Sequence, residues 1–232
     1  MTENNFFTLA RKWAGFYKSY ENPPHFYRQH MDLRNKDFIP FDELSAFSKK
    51  SPINNCIPHF FIADEKQVAF ASNPLKDSDL ISKSYAIFST DFSAFANTFP
   101  EFNNAMILLN RLIASYWQQS DRFVIMTFSW GDERTYETAF SNIDKGIIAG
   151  ISTEGVRDWV CFKSGFLEML RQIEPSKICW YDQIPLWVYD YYLKENIISL
   201  PKRFTRIKGI SDENNKNLIF EKCQIAVAEI CN

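Results

Sequence analysis

Residues 84–91 read SYAIFSTD: an apolar, β-type run that closes on a small polar pair and then an aspartate. An apolar run that leads into an acid recurs at IPHFFIAD (57–64), RFVIMTFSWGD (122–132), GIIAGISTEG (146–155) and SKICWYDQ (176–183). These runs lack clean polar–apolar alternation, as strands covered on both faces do. Helical stretches at 101–119, around 134–141 and at 158–173 separate the later runs. Strands alternating with helices make βα units. The expected fold is therefore α/β, with a mainly parallel sheet of about five or more strands, open or a partial barrel, and flanking helices.

Around this core the chain changes character. Residues 3–20 place Phe6, Leu9, Ala10, Trp13, Phe16 and Tyr17 at helical spacing, and Asn22-Pro23-Pro24 stops that helix. Residues 21–55 are polar and read as an extended lead-in. Ser211 to Cys231 forms an amphipathic pattern, with Leu218, Ile219, Cys223, Ala226, Val227 and Ile230 on one side. Before it, PKRFTRIKG (201–209) gathers Lys202, Arg203, Arg206 and Lys208 around Phe204. One domain is expected over 1–232: helix and lead-in (1–55), βα core (56–200), basic stretch and C-terminal helix (201–232).

Composition narrows the class. The 232 residues are 46% hydrophobic and 16% aromatic, enough for a sizeable core. The formal net charge of −2 gives no global positive field, so nucleic-acid contact would rest on local patches. Cysteines 56, 161, 179, 223 and 231 are scattered, which argues against a disulfide framework and a zinc site. The N-terminus lacks the apolar core of a signal peptide, and no run approaches the roughly 20 apolar residues of a membrane span. The expected compartment is the cytoplasm, with no membrane partner.

Ligands of parallel βα sheets bind at the carboxyl ends of the strands. Those ends carry Asp64, Asp91, Asp132 with Glu133, Glu154 and Asp182. Acids also cap helix N-termini, which accounts for any one of them. It does not account for the companions. Trp130 and Gly131 precede Asp132, Ser152 and Thr153 precede Glu154, and Asn110 and Arg111 stand in the helix after Asp91. An acidic rim with aromatic and hydroxyl neighbours suits a polar, ring-bearing substrate. No glycine-rich phosphate loop is present.

The segments HFFIADEK, IFSTDFSAF, VIMTFSWGDERTYETAF and GIIAGISTEG resemble a domain family of unknown function found in bacteria, phages and mobile elements. Its pattern runs H-F-F-x-x-D, D-F-S, W-x-D and S-T-x-G, and the resemblance covers roughly 57–200. Asp64, Asp91, Trp130, Asp132, Ser152, Thr153 and Gly155 fall on matching positions. Thr90 and Met126 depart from usual prolines, and Asp182 from a common glycine. The resemblance also implies a relation to antiviral DNA glycosylases, which remove modified bases from phage DNA.

N-glycosidic cleavage fits these residues. Carboxylates stabilise the oxocarbenium-like charge or activate water, and an extruded base is held by aromatics and read along its edge. The candidate catalytic residues are Asp91, Asp64, Asp132 and Glu154. Candidate substrate contacts are Trp130, Asn110, Arg111, Ser152 and Thr153, with Lys202, Arg203, Arg206 and Lys208 on DNA phosphates. No metal or cofactor is expected, and the partner is phage DNA. A metal-dependent nuclease or phosphoesterase is the enzymatic alternative, since clustered acids are natural Mg²⁺ ligands. A replication-accessory or interaction module of a mobile element is the non-enzymatic one.

Overall fold

Strand order follows chain order throughout the sheet. In the computed structural model the described residues are 8, 9, 11–13, 15, 23–73 and 78–200, and they belong to one compact unit, Met1–Leu200. Strands β3 (Ile87–Phe88), β4 (Val124–Thr127), β5 (Ile148–Ser152), β6 (Lys177–Tyr181) and β7 (Ile197–Leu200) form a five-stranded parallel sheet in that order. Strands β1 (Asp37–Pro40) and β2 (Cys56–His59) make a second parallel pair. The Tyr85 N–H donates to the Cys56 carbonyl at 2.9 Å, so β2 adjoins the chain entering β3.

Helices alternate with these strands: α1 (Phe41–Ser48), α2 (Asp64–Ser72), α3 (Ser78–Ser82), α4 (Pro100–Gln119), α5 (Tyr136–Phe140) and α6 (Trp159–Ile173). The helices expected at 101–119, 134–141 and 158–173 match α4, α5 with the short 3-10 turn before it, and α6. Two strands lie outside the expected set, β1 within the lead-in and β7 at its far end. The basic stretch with Lys202, Arg203, Arg206 and Lys208, and the expected C-terminal helix, lie outside the described residues. Among the described residues no helix is long and apolar enough to cross a membrane.

The strands curl. Tyr181 of β6 lies 5.4 Å from His59 and 5.1 Å from Phe61, ring centre to ring centre, stacked on the latter. In a flat sheet β2 and β6, four positions apart, would stand about 19 Å from one another. Alternate residues therefore face two different cores. One set, Phe38, Ile57, Phe61, Phe88, Ile125, Ile148, Cys179, Tyr181 and Leu200, fills the concave interior with side chains from all seven strands. The other, including Ile87, Met126, Ala149, Ile151 and Trp180, packs outward on the helices. Gly150 faces inward, where a Cβ would crowd the Phe88 ring at 2.9 Å. Filling both faces with apolar side chains explains why the strands show no alternation in sequence.

The β3–β4 pairing stops early for a local reason. The Ser89 hydroxyl, rather than a backbone carbonyl, accepts the Thr127 N–H at 2.8 Å, and Thr127 Oγ1 donates to the Ser89 carbonyl. The chain is thereby released from the ladder at Thr90 and turns into the segment that carries Asp91.

Candidate functional site

Asp91 opens a loop that is fixed by three buried amide side chains. Gln67, on α2, accepts the Asp91 N–H at 2.7 Å and donates to the Asp91 carbonyl at 3.0 Å. Asn110, on α4, accepts the Phe92 N–H at 3.0 Å and donates to the Phe92 carbonyl at 3.2 Å. Asn103, two turns earlier on α4, does the same for Phe95 at 2.9 and 2.7 Å. Each amide supplies the donor and acceptor that a neighbouring strand would have supplied. The loop is thus ordered without belonging to the sheet. The strand-end reading overlooked Gln67 and Asn103, which hold this loop; the Asn110 amide, expected on the substrate, pairs here with the Phe92 backbone.

A cavity of about 300 Å³ at the carboxyl ends of β2, β3 and β5 is lined by Phe61, Asp64, Asp91, Ser93, Ser152 and Glu154, among others. Four of those residues, Asp91, Ser93, Ser152 and Glu154, also line a neighbouring cavity of about 890 Å³ that reaches Phe95, Trp130, Arg157 and Trp159. Three of the acids expected at strand ends therefore share one space. Asp64 accepts the Ser93 N–H at 3.4 Å and a hydrogen bond from Gln67 at 3.3 Å. The Glu154 N–H donates to Ser152 Oγ at 3.0 Å, so Ser152 shapes the turn that presents Glu154.

The electrostatics set these acids apart. Burial, and then the charges of Asp64 and Glu154, push the Asp91 carboxyl well above the usual carboxylate range. Burial also raises Asp64, opposed by hydrogen bonds from the Ser93 side chain and backbone. Glu154 is exposed. The site thus pairs a buried carboxyl that resists ionisation with a solvent-facing one whose charge it feels. Among the described residues, no three or more His, Cys, Asp or Glu side chains are grouped as metal ligands.

The remaining expected residues lie outside the smaller cavity. Asp132 caps the 3-10 turn Glu133–Thr135 and pairs with Arg134 at 2.6 Å, which lowers its carboxyl below the usual range. Arg111 is buried and donates to the carbonyls of Pro24, Thr138 and Asn142, tying the lead-in to α5 and the turn after it. Thr153 donates to the Gln183 carbonyl at 2.6 Å. Trp130 lines the larger cavity but is mostly buried, its ring stacked on Phe162 and flush against Gly165, where a Cβ would overlap the indole. Gly131 is needed beside it because a Cβ there would overlap Asn103 Nδ2. Asp182 adopts φ 74, a left-handed conformation that glycine takes most easily and Asp tolerates.

A described family of domains of unknown function, DUF4417, matches residues 18–199. The chain belongs to that family. The match takes in the lead-in, all seven strands nearly to the end of β7, and the whole acid-lined site. No curated protein and no solved structure matches the chain.

Proposed function

We propose that the protein hydrolyses the N-glycosidic bond of a nucleobase, with Asp91 as general acid and Glu154 as general base. The observation that carries this reading is the shared cavity in which a half-buried Asp91, its carboxyl held well above the usual carboxylate range, faces the same space as the exposed Glu154, with Asp64 beside them. A carboxyl group that its surroundings keep protonated, placed opposite a second carboxyl group, is a recurrent arrangement for cleaving a glycosidic bond. Asp91 gives its proton to the departing base nitrogen as the C1′–N bond breaks. Glu154 takes a proton from the water that adds to C1′, and the negative charges of Glu154 and Asp64 stabilise the positive charge developing on the sugar. The products are free base and a hydroxyl at C1′.

In this proposal DNA is the substrate and phage defence the setting, on the strength of the sequence resemblance alone. The clamped loop supports the reading on independent grounds: it holds Asp91 rigidly, and rigid positioning is what proton transfer in a transition state requires. The test is incubation of the full chain with unmodified and modified DNA in the presence of a chelator. Free base and abasic sites appearing ahead of strand breaks support the hydrolase. Backbone cleavage that needs added Mg²⁺ replaces it with the nuclease, and DNA left intact under every condition replaces it with a non-catalytic module.

A further inference from the structure

The acid-lined cavity opens into a larger one whose chemistry differs. Among the described residues lining that larger cavity, Arg157 is the single Lys or Arg, and Asp91, Glu154 and Asp158 supply the acids. It is exposed and makes no hydrogen bond or ion pair among the described residues. Asp158, its chain neighbour, is committed elsewhere: it caps α6, accepting the N–H groups of Val160 and Cys161 at 3.1 and 2.9 Å. An arginine so placed can take an anion through a planar, two-point hydrogen-bond pair.

Two aromatic side chains share this cavity and remain open to solvent. Phe95 is 51% exposed and Trp159 45% exposed, although both line a cavity rather than a convex surface. The backbone beneath Phe95 is held by Asn103, so its ring is displayed from an ordered loop. Trp159 begins α6, two residues beyond Arg157. Arg157 itself follows Glu154 by three residues, which limits their backbones to about 10 Å apart. That spacing is within the reach of one nucleotide unit.

We propose, building on the hydrolase reading, that the larger cavity is a subsite for the nucleotide adjoining the one that reacts: Arg157 takes the connecting phosphate, and Phe95 and Trp159 offer stacking faces for the neighbouring base. The ligand is a single strand, because stacking on both rings requires an unpaired base. The acids near the reacting sugar repel phosphate, so the phosphate is drawn to Arg157 and the sugar is left by the carboxyl groups. The substrate class becomes an oligonucleotide rather than a free nucleoside.

The test compares the full chain with its Arg157→Ala, Arg157→Lys, Trp159→Ala and, as a remote control, Lys50→Ala forms. Two quantities are read: binding of a single-stranded thymidine hexanucleotide against thymidine, and base release from cytosine or 5-hydroxymethylcytosine, as deoxynucleoside or within the hexanucleotide. Binding by the Asp91→Asn form keeps the ligand intact. The expected result is that Arg157→Ala weakens hexanucleotide binding about tenfold more than thymidine binding and lowers the salt slope by about 0.7, the share of one single-strand phosphate. Trp159→Ala weakens hexanucleotide binding about tenfold with the salt slope kept, Arg157→Lys retains the salt slope, and Lys50→Ala changes neither. Equal losses on hexanucleotide and thymidine, or none, overturn the subsite even if base release is observed. Hexanucleotide binding that depends on Arg157, with no base released from any probe, upholds the subsite and overturns the hydrolase instead.

Discussion

Gln67 and Asp91 are joined by a two-way amide pairing, in which the Gln67 side chain both accepts the Asp91 N–H at 2.7 Å and donates to its carbonyl at 3.0 Å. The same Gln67 amide reaches the Ile62 carbonyl at 3.0 Å and Asp64 Oδ1 at 3.3 Å. One buried side chain thus sets the backbone of one acid and touches the carboxylate of another. Gln67→Met keeps the volume but leaves the Asp91 backbone groups without this partner. Loss of stability by about 1–3 kcal/mol is expected, together with a fall in kcat larger than the rise in KM. Full activity in a folded Gln67→Met would remove the clamp from the account.

Asp91→Asn separates chemistry from scaffold. Asparagine keeps the shape and leaves the Gln67 pairing, which is to the backbone, untouched. Base release should fall by at least about a hundredfold, the lower range for loss of a general acid, with the thermal midpoint at neutral pH no lower than wild type.

The same substitution has a signed pH dependence. Because burial and neighbouring charges raise the Asp91 carboxyl, the folded chain retains a proton that the unfolded chain releases near pH 4. Its stabilising contribution is full below that point and is lost as pH rises through the folded value. Relative to wild type, Asp91→Asn should therefore gain stability from pH 4 toward neutrality, read as urea midpoints at both ends. A relative loss over that window would mean that Asp91 is stabilised as a carboxylate.

Gly131 and Asp132 stand side by side with different expected roles. Gly131→Ala forces a Cβ onto Asn103 Nδ2 and within 3.0 Å of the Phe95 carbonyl, so the Phe95 clamp opens. A cost of about 1–3 kcal/mol and weaker substrate binding are expected, measured by denaturant titration and KM. Asp132→Ala removes a cap and the pair with Arg134, outside both cavities. It should cost about 0.5–2 kcal/mol while base release proceeds near the wild-type rate.

The parallel core was readable because five of the seven strands are short apolar runs that lead into an acid. That signature also located Asp64, Asp91 and Glu154, whose common cavity follows from parallel strands ending at one edge. β1 was not readable: DFIP is four residues long, ends in Pro40 and sits in a polar segment. β7, IISL, likewise carries no helix-bounded rhythm around it. The amide clamps escaped because Asn and Gln in helices usually face water. A signal existed, since Asn103 and Asn110 stand seven residues apart, two turns, beside the buried Met106 and Ile107. Polar residues repeating along a buried helical face need partners, and here the partner is a loop backbone. The curl that joins β2 to β6 depends on ring packing between distant strands, and no local pattern encodes it.

The most direct measurement of the central claim is single-turnover release of free base from DNA containing the competent base, with chelator present, by wild type and Asp91→Asn. Wild type should release base before any strand break, and that release should be lost in an Asp91→Asn form that still folds and binds DNA. Base release unchanged in Asp91→Asn, or strand scission without prior base release, would contradict it.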